Sequence, residues 1–140
     1  MKLCDLGHTR DIHHHTRKLS EDVSTRSYKA PELLLNSKSY GKEIDIWGLG
    51  CTLAEMYSRS VLFKGKSTYG QLESILEITG QDPREMNIFS NLTSIPSFLQ
   101  SKKTYKHPTF RSIIPSLDPL AEDLLIKMLK VNPKERLTID

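Results

Sequence analysis

The chain has 140 residues, with 20 Lys and Arg against 17 Asp and Glu, a formal net charge of +3, and 37% hydrophobic and 26% charged residues. That balance fits one globular domain or part of one, and without a dense basic run it supports neither a nucleic-acid nor a membrane-surface partner. Two cysteines, Cys4 and Cys51, make neither a disulfide framework nor a metal spacing, which points to a reducing compartment, cytoplasmic or nuclear. Lys2 is followed by only two apolar residues before Asp5, too few for a signal peptide.

In chain order, Met1 to Cys4 reads as a short buried strand, followed at once by a turn at Asp5-Leu6-Gly7. A lone strand cannot hide its own edges, and Thr138-Ile139-Asp140 resembles the opening of a further helix. The expectation is therefore a piece of a larger domain. Residues 8–22 are polar, keep no helical or strand period, and hold His8, His13, His14, His15, Arg10, Arg17 and Lys18. A loop of that length is usually functional or disordered. A metal site on the adjacent histidines is disfavoured, because neighbouring side chains in an irregular loop diverge and no fixed fourth ligand is visible. Ala30-Pro31-Glu32 opens a short helix through Leu35 that ends before Asn36, and Lys38 to Lys42 form a turn with Gly41.

The stretch from Glu43 to Tyr57 is the centre of the reading. Ile44, Ile46, Trp47, Leu49, Leu53, Met56 and Tyr57 leave no polar stripe, so a helix buried on all sides is expected. It is too short to cross a bilayer, which takes about 20 residues. Gly48 and Gly50 each weaken such a helix by about 1 kcal/mol relative to Ala, which makes sense if backbone packs close to both. Leu62 and Phe63 are expected as buried anchors, with Gly65 as a turn. A second helix begins near Thr68, with Thr68 and Gln71 as a capping box, Leu72, Ile75, Leu76 and Thr79 on one face, and Gly80 as the C-terminal stop. Pro83, Pro96, Pro108 and Pro115 interrupt 81–116, where short helices are placed at Arg84–Phe89 and Ser97–Ser101. A third helix starts at the cap Asp118, with Pro119 at its first position. It packs through Ala121, Leu124, Leu125, Met128 and Leu129 and stops before Asn132-Pro133.

Asp5-Leu6-Gly7, Ala30-Pro31-Glu32, Asp45-Ile46-Trp47-Gly48 and the late Arg136 are weak signals singly. In this order and spacing, with a structureless loop between the first two, they match the D-F-G to A-P-E signature of protein kinases. The chain resembles the C-terminal lobe of a eukaryotic serine/threonine protein kinase. Ser24 to Glu32 is similar to the P+1 loop of the mitogen-activated and cyclin-dependent kinase group. Leu62-Phe63-Lys64-Gly65 and Ser67 to Leu72 look most like mitogen-activated kinases, their atypical branch included.

The resemblance implies a mainly α, partial kinase lobe over 1–140. It comprises a magnesium loop and activation segment at 1–32, a central buried helix at 43–58, an insertion-like segment at 81–116 and a late helix at 118–130. It implies transfer of the ATP γ-phosphate to protein Ser or Thr before proline, with Mg2+, protein substrates and an upstream kinase. By this resemblance Asp5 binds magnesium bridging the ATP phosphates, as suits a hard oxygen ligand, and Thr25 hydrogen-bonds the catalytic aspartate. Arg26 and Lys29, beside Tyr28, hold a phosphotyrosine and shape the P+1 site. Arg10 grips an activation-loop phosphate, Asp45 is a buried brace for the catalytic loop, and Glu32 and Arg136 form a buried ion pair.

Departures accompany these matches. Leu6 replaces Phe, Ser27 replaces a Trp before Tyr28, and His8-Thr9 stands where the family has Leu-Ala. Ser20-Glu21-Asp22 occupies the place of a Thr-x-Tyr pair, which makes Ser20 a single phosphorylation site and Asp22 a fixed, weaker negative charge. These 140 residues hold no G-x-G-x-x-G, no strand lysine and no H-R-D-x-x-x-x-N, so alone they are expected to transfer no phosphate. Alone they are also expected to expose Trp47, Leu49 and Leu53. The alternative reading is an inactive kinase fragment or pseudokinase that acts by binding partners.

Overall fold

The computed structural model describes residues 4–9, 24–37, 40–82 and 110–139. The strand expected at 1–4, the loop through 10–23 and the short helices expected at 84–89 and 97–101 lie wholly or almost wholly outside them. The described part is helical, with no strand among the described residues. It contains α1 (Pro31–Leu34), α2 (Glu43–Ser58), α3 (Thr68–Thr79), α4 (Phe110–Ile113) and α5 (Pro119–Met128), with single 3-10 turns at Leu6–His8, Arg26–Tyr28 and Pro133–Glu135.

Proline opens α1 at its first position, where a missing N–H loses no bond. The Leu33 and Leu34 amides both donate to the Ala30 carbonyl, and the helix stops at Asn36, whose φ of 54° lies in the left-handed region. Asparagine is among the non-glycine residues that tolerate that region best. All of Pro31 to Leu35 is buried.

Helix α2 carries the core on one side only. Ile46, Trp47, Gly50, Cys51 and Ala54 are buried at helical spacing. The expectation of burial all round fails on the opposite side, where Leu49 is 44% and Met56 is 66% exposed and Leu53 is half-buried. The apolar composition exceeds what the described elements cover, because α5 and the residues around α1 and α3 meet a single face. Trp47, expected to lie open, is sealed. Its ring stacks on Phe63 at 5.6 Å with a 17° interplanar angle, and the Arg136 guanidinium lies 5.1 Å above it.

The two glycines of α2 differ. A Cβ on Gly50 would stand 3.0 Å from Leu129 Cδ2 and 3.1 Å from Met128 Cβ, so this glycine admits α5 to close range. A Cβ on Gly48 would meet nothing within 4 Å, so the close approach expected there is not found among the described residues.

Helix α3 is capped by Ser67, one residue before the expected Thr68. The Ser67 hydroxyl accepts from the Gly70 amide at 3.0 Å. Leu72, Ile75 and Leu76 are fully buried, and Gly80 ends the helix at φ 66°. Asp118 caps α5 as expected, its Oδ1 accepting from the Leu120 and Ala121 amides at 3.0 Å each. Ala121, Leu125, Met128 and Leu129 pack inward, whereas Leu124, expected with them, is exposed. The four-residue α4 lies in the proline-broken segment, where no helix is expected at that position. It nonetheless delivers Phe110 to the core, followed by Ile114 and Leu117. Buried Gln81 fastens the end of α5. Its amide donates to the Leu129 carbonyl at 2.9 Å and accepts from the Val131 amide at 2.7 Å.

Candidate functional site

Among the described residues, 24–37 supply most of the sequence-predicted site. Ser24 is left-handed at φ 72°, and the chain then tightens into the 3-10 turn over Arg26–Tyr28. The Tyr28 amide donates to the Thr25 carbonyl at 2.9 Å and the Lys29 amide to the Arg26 carbonyl at 3.2 Å. Thr25 is exposed and its hydroxyl does not cap the turn.

The side chains of Tyr28 and Arg26 tie the turn to the body of the protein. The Tyr28 hydroxyl donates to Glu55 Oε2 on α2 at 2.7 Å. That hydrogen bond to the Glu55 carboxylate, with burial adding to it, holds the Tyr28 hydroxyl above its ordinary pKa. Arg26 Nη1 donates to the Lys66 carbonyl at 3.0 Å, in the loop before α3. Neither partner is legible in the sequence as a ligand of this turn. Glu55 carries a signal of a kind, an acid on a helix with no polar stripe, which has to find a donor.

Three residues after Lys29, Glu32 meets Arg136 across 104 positions of sequence. Nη1 reaches Oε1 at 2.7 Å and Nη2 reaches Oε2 at 3.0 Å, a bidentate pair. The side chains are 0% exposed for Arg136 and 2% for Glu32. The guanidinium also donates to the carbonyls of Lys130 at 3.0 Å, Glu43 at 2.8 Å and Val131 at 3.3 Å. One planar cation thus joins α1, the start of α2 and the turn after α5, and lies over Trp47 while doing so.

Two further candidates, Asp5 and Asp45, are exposed. Asp5 sits on an exposed turn at φ 60° and ψ 65°, and its carboxylate does not cap the turn that follows. Asp45, expected as a buried brace, is exposed. It occupies the first turn of α2 on the side away from Ile46 and Trp47, where the described elements do not pack over it. Arg10, Ser20 and Asp22 lie outside the described residues. No helix among the described residues is long and apolar enough to cross a membrane.

The description "protein kinase domain" matches residues 1–140 in full. The chain belongs to the protein kinase family. Within that family it is similar to mitogen-activated protein kinase 2 of Pneumocystis carinii, with 39% identity over 143 residues that cover all of this chain and 41% of that protein. It is likewise similar to mitogen-activated protein kinase mpk-1 of Caenorhabditis elegans, at 41% identity over all of this chain and 32% of that protein. Among solved structures, the MAP kinase LmaMPK10 of Leishmania major superposes with a TM-score of 0.72 at 36% identity, covering 81% of this chain and 37% of that one. The chain therefore spans about two fifths or less of these relatives' length. Its mainly helical architecture is that of the matching part of a MAP-kinase-like domain.

Proposed function

We propose that the protein carrying this chain is a serine/threonine kinase that transfers the γ-phosphate of ATP to protein Ser or Thr followed by proline. The observation that carries this reading is the turn at Arg26–Tyr28, tied to α2 through Tyr28 and Glu55 and continued directly into the helix whose Glu32 is clamped by Arg136. A substrate loop has to be held within a fraction of an ångström of its productive position, and this stretch is anchored at both ends. Selection of proline is supported by the likeness of the chain to mitogen-activated protein kinases.

In this reading Thr25 meets the catalytic aspartate, Arg26, Tyr28 and Lys29 form the P+1 site, and Asp45 braces the catalytic loop. Ser20 is the regulatory phosphorylation site, written by an upstream kinase, with Arg10 to grip its phosphate and Asp22 as a fixed negative charge. Asp5 would hold Mg2+. Its carboxylate is a hard oxygen donor on an open turn, which fits that ion in kind, with phosphate oxygens and water supplying other ligands. The ion would neutralise charge on the phosphates of ATP, and the part of the chain would be to fix one ligand and the substrate loop. A second reading, an inactive kinase domain that works by binding partners, is favoured by the exposed apolar side of α2 at Leu49 and Met56.

The deciding experiment is phosphate transfer by the full-length protein to paired peptides with Pro or Ala after the acceptor. The kinase reading expects preference for the proline peptide and loss of transfer in Asp5→Asn. Transfer that survives Asp5→Asn removes Asp5 from the mechanism, and a folded full-length protein that transfers nothing leaves the binding reading. The 140 residues alone are expected to be inactive.

A further inference from the structure

Gln71 is wholly buried in the first turn of α3. A polar side chain in that position needs both its donor and its acceptor met. Both are met by the backbone of the preceding loop: Oε1 accepts from the Gly65 amide at 2.7 Å, and Nε2 donates to the Phe63 carbonyl at 3.4 Å. The amide thus does not cap the helix. It folds residues 63–66 against the start of α3. The approach is close enough that a Cβ on Gly65 would run into the backbone of Gln71. Phe63 at one end of this loop is stacked on Trp47. The Lys66 carbonyl at the other end receives the Arg26 guanidinium.

We propose that Gln71 is a positioning residue for the substrate loop: it fixes residues 63–66, and the Lys66 carbonyl so placed holds Arg26 and with it the turn at 25–29. This rests on the reading of that turn as the substrate loop, and it gives Arg26 a part distinct from the anion-holding one its motif position implies. Gln71 touches no reacting atom and acts through the loop. Neither Lys nor Met replaces it, since Lys accepts no hydrogen bond and Met donates none.

The test uses the full-length protein with Gln71→Met, Arg26→Ala and the double variant. It measures amide hydrogen exchange at Tyr28 and Lys29 against the Leu129 amide, which donates to Leu125 in the core. Each single variant is expected to speed exchange at Tyr28 and Lys29 by about fivefold or more while Leu129 holds its rate. The double variant is expected to match the larger single effect, because both break one connection. Three results overturn the proposal: unchanged exchange at Tyr28 and Lys29, an equal rise at Leu129, or a double variant equal to the product of the singles. Arg26 is exposed, so Arg26→Ala decides the last link even if Gln71→Met does not fold; unchanged exchange there sinks it. In phosphate transfer, Gln71→Met is expected to raise KM for the proline peptide by about threefold or more with kcat nearly kept. An unchanged KM alongside altered exchange removes the substrate part. A parent protein without transfer refutes the kinase reading and leaves the exchange result to judge Gln71.

Discussion

At the N-terminal end of α2, Arg136 reaches the Glu43 carbonyl and Glu32 from a site closed to water. At the C-terminal end, Tyr57 donates to Asp118 Oδ2 at 2.8 Å and the Ser116 hydroxyl donates to the Tyr57 carbonyl at 3.3 Å, both in the open. Each end ties the same helix to the late part of the chain by polar contacts. The chemistry is alike and the dielectric is not. Water competes for every group at the second end and screens it, so its contacts can be lost at little expense. At the first end there is no water to take the place of a lost partner, and the guanidinium has five donors to satisfy. What each end contributes is therefore set by burial more than by the number of hydrogen bonds.

The largest effect is expected from breaking the buried end. Glu32→Ala leaves the Arg136 cation uncompensated, and stability should fall by about 3–5 kcal/mol. Urea unfolding of the full-length protein measures it. A loss under about 1 kcal/mol, the value of an exposed pair, would falsify the buried geometry. Replacing both partners with apolar residues of similar volume, Glu32→Leu with Arg136→Met, should be much milder, because no charge is then stranded. Cys51 is the local reporter. Burial pushes its thiol up to about 12, with Arg136 pulling partly the other way, so alkylation near neutral pH should be very slow in the parent and accelerate in Glu32→Ala. Cys4 is exposed and should label readily in both.

A second pair of variants sharpens the contrast between covered and open sides of the same helix. Ala in place of Gly adds about 1 kcal/mol of helix propensity at either site. At Gly48, with nothing within 4 Å of the new methyl, Gly48→Ala should keep that gain. At Gly50 the methyl meets Leu129 and Met128, both buried, and overpacking should take about 1–3 kcal/mol. The two variants should differ in that direction in melting temperature. Equal values would mean that α5 does not sit against Gly50.

The sequence made the local rules plain and the partners obscure. Proline at the start of α1 and α5, Asp118 as a cap and Gly80 as a stop each act over a few residues, and each is where its chemistry predicts. The Glu32 and Arg136 positions were legible only because four spaced motifs named a family; no period or propensity links residues 104 apart. Three features were misread for physical reasons. Gln71 had the look of a capping residue, because a polar side chain near a helix start is usually at the surface, yet it is buried against backbone. Helix α2 had two apolar sides, and pattern alone does not tell which one is covered. Helix α4 is a single turn among prolines, with Phe110 as its one buried member, too short for any period to register.

The smallest effect is expected at the open end, and it has a pH signature. Asp118 accepts first from the Ala121 amide and then from the Tyr57 hydroxyl, and these bonds hold its carboxyl below the ordinary aspartate range. The same contact with Asp118 raises Tyr57 above its ordinary value. A folded-state pKa below the unfolded one means that the unfolded chain takes up the proton first on acidification. The stabilisation is therefore fully present above the unfolded value, near pH 4, and is lost as pH falls through the lower folded value. Asp118→Asn separates the cap from its charge, since asparagine caps a helix about as well as aspartate. It should keep α5 intact, melt slightly below the parent at neutral pH, and converge with the parent once the pH is well below about 4. Asp118→Ala removes the cap as well and should melt lower than Asp118→Asn at every pH. Added salt should narrow the neutral-pH gap between parent and Asp118→Asn, because the charge is screened at this exposed end, while leaving the defect of Glu32→Ala nearly untouched. If the parent and Asp118→Asn melt with the same pH dependence from neutrality down to about pH 3, the carboxylate does not bear charge-dependent bonds to Ala121 and Tyr57 in solution.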